Sequence, residues 1–281
     1  MARPNIAHRM KHALVGEIRA IFNDADRGER PVQPQPDDSL FGPQSVAWRV
    51  HRDVTAMMVG GVAALLLQML HPAVLAGVWD HSSFRHDMLG RLRRTARFIA
   101  LTTYGSAEDA RAAIDHVRAI HEQVSGTLPD GTRYRADDPA LLAWVHVSEV
   151  TSFLAAWRRY GEPLMSGIDQ DRYIADMVCI AAPLGADPIP TTRAEAARLI
   201  AAMRPALVAT DRTREVARLV LHQRPGKLAL APLQAVTFQA AVDLLPGWAR
   251  RLHGLADPRA TRPLVRAGTF GIAETIRWAF R

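Results

Sequence analysis

SAEDARAAIDHVRAIHEQVSG, residues 106 to 126, is the stretch from which the fold class can be read. Ser106 followed three residues later by Asp109 is a capping-box pattern that opens a helix, and Gly126 is where it is expected to close. Between them Ala110, Ile114, Val117, His121 and Val124 recur at steps of four and three, which puts them on one buried face and turns His121 inward. His116 falls off that stripe and is expected in solvent. The next segment repeats the logic. Asp138 before Pro139 opens a helix in which Leu142, His146, Val150, Phe153 and Trp157 form a second apolar stripe, with Glu149 one turn from His146. The turn signal Pro129-Asp130-Gly131 joins the two, with Thr132 to Arg135 as a short hairpin strand.

Outward from this pair the same spacing holds from Val46 to Met203, and alternation of the strand type never lasts more than a few residues. The chain is therefore mostly α, expected as a single helical-bundle domain preceded by an extended arm. A weakly amphipathic helix over Met1 to Phe22 and an arm holding Pro31, Pro34, Pro36 and Pro43 make a leading segment of residues 1–38, and residues 39–281 make the helical domain. Val54 to Leu70 carries no charge but contains Gly60, Gly61 and Gln68, and reads as a buried core helix ending at His71-Pro72 rather than as a membrane span. Beyond Met203, helices are expected around Arg214 to His222 and Leu233 to Leu245, with breaks at Pro225-Gly226 and Pro246-Gly247.

At 281 residues and 48% hydrophobic content the chain is globular. Its net charge of +7 and pI near 10.4 invite a polyanion, yet the excess is arginine spread along the sequence, and Lys11 and Lys227 are its lysines. A nucleic-acid binder gathers its cations on one face beside a groove-reading motif or stacking aromatics, so no nucleic-acid partner is expected. Cys179 is the single cysteine, which excludes an intrachain disulfide and a CxxC pair. With no signal-type apolar stretch after Arg3, Arg9 and Lys11, a reducing, cytoplasmic location follows as the expectation, without stable membrane association.

The chemistry-bearing residues are histidines on apolar faces: His71 at the mouth of the Val54 to Leu70 helix, where it shares a face with Gln68, together with His121 and His146. An imidazole in an apolar helical pocket suits a haem iron, whereas several imidazoles with a carboxylate suit a non-haem metal. A carboxylate-bridged di-iron site needs more inward acids than Glu149 provides. Between Ser83 and Tyr104, Arg91, Arg94, Thr95 and Phe98 share a helix face that presents two guanidiniums and a hydroxyl, donors suited to a carboxylate or to charge developing on oxygen.

The order of short motifs is the more specific signal. Ser39-Leu40-Phe41-Gly42-Pro43, Trp48-Arg49-Val50-His51, Gln68-Met69-Leu70-His71-Pro72 and Gly77-Val78-Trp79-Asp80-His81-Ser82 are followed by Arg91 to Thr95, His121-Glu122-Gln123-Val124-Ser125-Gly126, Tyr134 to Pro139 and Trp144-Val145-His146. Over roughly Ser39 to Met203 the chain resembles the catalytic-domain family of the MpaB-type oxygenases and the rubber oxygenases, or latex clearing proteins. The resemblance implies a helical haem b (iron) oxygenase or oxidase that uses dioxygen, with or without an electron donor, on an apolar, isoprenoid-like small molecule. It implies His121 as the iron ligand and Arg91 and Thr95 as the family's Arg and Thr, with Arg94 where rubber oxygenase uses a lysine. Arginine does not readily lose its proton or ligate iron, so polyisoprene is not carried over as substrate. His71 and His146 face the distal side or brace the pocket. Two other readings stay open: a non-haem metal held by His71, His121, His146 and Glu149, and a helical binding protein without cofactor chemistry.

Overall fold

The computed structural model describes residues 11, 15, 16, 31–223 and 231–280. The helix expected over Met1 to Phe22 lies almost wholly outside the described residues, as does the break at Pro225-Gly226. The described chain is helical: α1 (Val46–His51), α2 (Val54–Gln68), α3 (Pro72–His81), α4 (Met88–Tyr104), α5 (Ala107–Glu122), α6 (Pro139–Tyr160), α7 (Gly167–Asp176), α8 (Val178–Leu184), α9 (Arg193–Met203), α10 (Asp211–Leu221), α11 (Ala231–Leu244), α12 (Gly247–His253) and α13 (Arg262–Phe280). Among these residues the only sheet is the expected hairpin, β1 (Ser125–Thr127) against β2 (Arg133–Arg135), with Gly126 opposite Tyr134.

The core is the crossing of α2 and α6. Asp53 caps α2 by accepting from the Ala56 amide at 2.7 Å, and the helix behind it is apolar on every side because every side is covered. Gly60 makes the crossing close: a Cβ there would lie 2.7 Å from Phe153 Cδ1 and 3.0 Å from Phe153 Cα. On α6, Leu142, His146, Val150, Phe153 and Trp157 are all buried, as their spacing predicts. Each large apolar side chain so covered contributes about 1.5–3 kcal/mol. This helix is long and apolar enough to span a bilayer, but 72% of its most apolar window is buried inside the protein, the arrangement of a core helix. Pro72 at the start of α3, where its missing N–H is harmless, turns the chain by 105° after Gln68.

The remaining helices are tied to this crossing by polar contacts. Arg277 of α13 bonds Asp53 Oδ2 at 2.7 Å, and His253 of α12 reaches the Leu66 carbonyl at 2.9 Å. Asp243 of α11, its side chain fully buried, pairs with Arg159 of α6 at 3.2 Å and with Arg262 and Arg266 of α13 at 2.6 and 2.7 Å.

Two boundaries differ from the sequence expectation. Helix α5 stops at Glu122, and Gly126 belongs to β1, where a Cβ would lie 2.6 Å from the Tyr134 hydroxyl. Its glycine is needed for the hairpin, not for a helix cap. Helix α4 begins at Met88, five residues after Ser83, because Asp87 caps it by accepting from the Gly90 amide at 2.8 Å.

Candidate functional site

Helices α4, α5, α6 and α8 leave a cavity between them, which His51 of α1 also lines. Its apolar walls are Phe98 and Ile99 of α4, Leu142 and Val145 of α6, and Ile180, Ala181 and Leu184 of α8, with Met177 and Ala186 at the ends of α8. The polar groups that reach it are His51, Thr102, His121, His146 and Glu149. The empty space between these residues measures about 540 Å³, open solvent at its edge included.

Each polar group arrives by a local rule. Helix α5 starts at Ser106, whose hydroxyl accepts from the Asp109 amide at 3.0 Å, and the stripe through Ala110 and Ile114 carries its last turn, with half-buried His121, to the cavity. Helix α6 starts at Asp138, whose Oδ1 accepts from Ala140 and Leu141 at 2.8 and 3.2 Å, and its apolar register presents Val145, His146 and Glu149 on one side. Burial lowers the His121 pKa, against an opposing pull from Asp137, and pushes that of His146 down to about 4. Both rings are thus neutral at pH 7, the state in which an imidazole ligates a metal. Burial raises Glu149 to about 7, so its carboxyl holds a proton well above the usual carboxylate range.

Hydrogen bonding separates the three imidazoles. His51 is saturated: Nδ1 meets Thr103 Oγ1 at 2.8 Å and Nε2 meets Tyr173 OH at 2.9 Å, and burial holds its pKa at about 3. His121 Nδ1 and His146 Nε2, in contrast, are buried without a hydrogen-bond partner among the described residues. An orphaned buried polar atom costs about 1–3 kcal/mol, and such atoms in a cavity wall are where a ligand is accommodated. Two neutral imidazoles with free nitrogens, set among Leu, Val, Ile, Phe and Met, fit the donor set and the apolar surroundings a haem requires.

Other expected site residues lie elsewhere. Half-buried Arg91 donates to Ser82 Oγ at 2.9 Å, and burial with the neighbouring Arg94 charge lowers its pKa to about 10, leaving it cationic at neutral pH. Arg94 and Thr95 are exposed: Arg94 sits 3.4 Å from Asp87, and Thr95 donates to the Arg91 carbonyl at 3.2 Å. None of the three lines the cavity, although Arg91, Thr95, Phe98 and Thr102 continue one another at helical spacing and the last two do. His71 is half-buried at the α2–α3 corner, its Nδ1 without a partner and its pKa lowered by burial against the charge of Asp138, and it is not in the cavity wall.

The alternative site joining His71, His121, His146 and Glu149 is accordingly corrected. Among the described residues no three His, Cys, Asp or Glu side chains converge to hold a metal ion. The 105° turn at His71-Pro72 sends His71 to a corner, away from the α5–α6–α8 wall.

Sequence reasoning quoted His51 within the Trp48-Arg49-Val50-His51 motif without a site role, and missed its partner Tyr173. The available signal was that Val46, Ala47, Val50 and His51 make one buried face of a very short helix. The partners Thr103 and Tyr173 lie 52 and 122 residues away, beyond any local pattern.

A family model described as "ER-bound oxygenase mpaB/B'/Rubber oxygenase, catalytic domain" matches residues 48–278. The match runs well past Met203, where the motif series ends, to within α13. No curated protein and no solved structure matches the chain.

Proposed function

Because this chain belongs to the family of the ER-bound oxygenases mpaB/B' and the rubber oxygenases, and carries their catalytic domain, we propose that it is a haem b-dependent oxygenase acting on an apolar small molecule in the α4–α5–α6–α8 cavity. The observation that carries this reading is the pair of neutral imidazoles with unpartnered ring nitrogens in an otherwise apolar wall. Haem, when bound, supplies the iron at which dioxygen is reduced.

The chain's own residues have separate tasks in this reading. His121 would hold the iron: burial keeps its ring neutral, and it lines the cavity from the last turn of α5. His146, about two turns of helix from the Asp138 cap, offers a second neutral imidazole facing the same space. Glu149 holds a proton at neutral pH that it can donate within the cavity. The aliphatic and aromatic walls exclude water and take up the apolar body of the substrate. Arg91, still cationic, is placed on the α4 stripe leading to Phe98 and Thr102 and serves an anionic group at the rim, such as a haem carboxylate. Arg94 and Thr95, exposed and engaged with Asp87 and the α4 backbone, are assigned only to support of that rim.

The test is an absorption spectrum of protein expressed with haem supply or reconstituted with haem b. A Soret band is expected, and His121→Ala should abolish or markedly shift it while circular dichroism shows the helices intact. Protein that stays colourless after reconstitution, or a Soret band indifferent to His121→Ala, overturns the assignment.

A further inference from the structure

A second cleft lies between the C-terminal end of α9 and α12, formed by Ala201, Arg204, Pro205, Leu207, Trp248, Arg251 and Leu252, none of which belongs to the cavity described above. It is open to solvent and encloses about 1020 Å³, counting its open side. One wall is apolar, with Leu207 buried and Trp248 and Leu252 half-buried, and its edge carries the exposed guanidiniums of Arg204 and Arg251. Arg204 stacks on the Trp248 indole, 5.1 Å from the ring centroid.

The charge of this cleft is one-sided. Several surface arginines are matched by carboxylates, as with Arg118 and Asp115, Arg193 and Asp171, or Arg214 and Asp211. Here no lining residue is acidic. Two cations beside an aromatic and aliphatic floor are complementary to a molecule with an anionic head and an apolar body. Guanidiniums bind carboxylate or phosphate through paired N–H donors, and stacking on the indole fixes the orientation of one of them.

We propose that this cleft binds an amphiphilic anion, its carboxylate or phosphate head held by Arg204 and Arg251 and its apolar body lying on Trp248 and Leu252. The site is independent of the haem assignment and needs no cofactor.

Octanoate, with octanol as its uncharged counterpart, tests this on the full-length protein by isothermal titration calorimetry. Octanoate should bind saturably and at least tenfold more tightly than octanol. The double variant Arg204→Gln/Arg251→Gln should lose tenfold or more of the octanoate affinity, and Trp248→Ala should weaken octanoate and octanol alike. Both arginines are exposed, so the double variant should melt like the wild type. Cosedimentation with phosphatidylglycerol or phosphatidylcholine vesicles distinguishes the source of the head. Pelleting by the anionic vesicles alone, lost in the double variant, identifies a lipid headgroup, whereas octanoate binding without pelleting identifies a free anion. Octanoate binding no tighter than octanol, or unchanged in the double variant, overturns the proposal.

Discussion

A single carboxyl illustrates how burial sets protonation in this protein. Glu149 has a pKa of about 7 because the cavity wall desolvates its charged form. Its folded-state value lies above that of the unfolded chain, so its contribution to stability is fully present below about pH 4.5 and is lost as pH rises toward 7. His51 and His146 slope the other way: with folded values of about 3 and 4, they cost stability as pH falls below about 6.5. Glu149→Gln removes the first slope and leaves the second. The variant should therefore gain stability relative to the wild type as pH rises from 4.5 to 8, read from urea denaturation at each pH. Parallel stability curves across that range would show that Glu149 ionises freely. Of the cavity's polar residues, His121, His146 and Glu149 were legible from helical spacing alone. His51 was not, since its partners come from α4 and α7 and its own helix spans six residues.

Elements assemble here by close approach as much as by apolar area. The α2–α6 crossing depends on Gly60, where an added methyl would press on the Phe153 ring and backbone. Gly60→Ala should gain about 1 kcal/mol in helix propensity and lose more to overpacking, about 1–3 kcal/mol. A net loss of stability is expected, and Gly61→Ala, whose added Cβ would lie 3.6 Å from Phe153 Cε1, is its control. Equal stability of the two variants in chemical denaturation would refute the close-packed crossing. The existence of α2 and α6 was readable from sequence because uninterrupted apolarity and a clean stripe both demand burial. That they bury each other was not, because no residue in either helix names its partner. The end of α5 departs from expectation for a related reason: Gly126 carries cap-like chemistry, but Tyr134 claims this glycine for the hairpin, and it is the Asp87 cap that starts α4 five residues after Ser83.

At the scale of the whole molecule, exposed ion pairs contrast with an interior knot of charge. Pairs such as Arg118 with Asp115 are exposed and contribute little individually. Asp243 is different, because its buried carboxylate receives Arg159, Arg262 and Arg266 from two other helices, and these bonds hold its pKa down against the penalty of burial. Asp243→Ala leaves guanidiniums facing one another without their anion and should cost about 3–5 kcal/mol of global stability. An urea midpoint unchanged in that variant would remove the knot from any role in joining α6, α11 and α13. The scatter of arginine along the chain hid this cluster, whose members are up to 107 positions apart in sequence.

The saturated ring of His51 ties three helices at one point of the cavity wall. Its nitrogens bridge α1 to Thr103 of α4 and Tyr173 of α7, so the wall there parts only when three helices separate together. His121 lies instead in the final turn of a helix whose outer face is solvated. Deuterium uptake should accordingly be slowest at the amides of α1 and around Tyr173, and fast over the last turn of α5. A guest would be accommodated by yielding around His121, against a tie at His51 that keeps its shape.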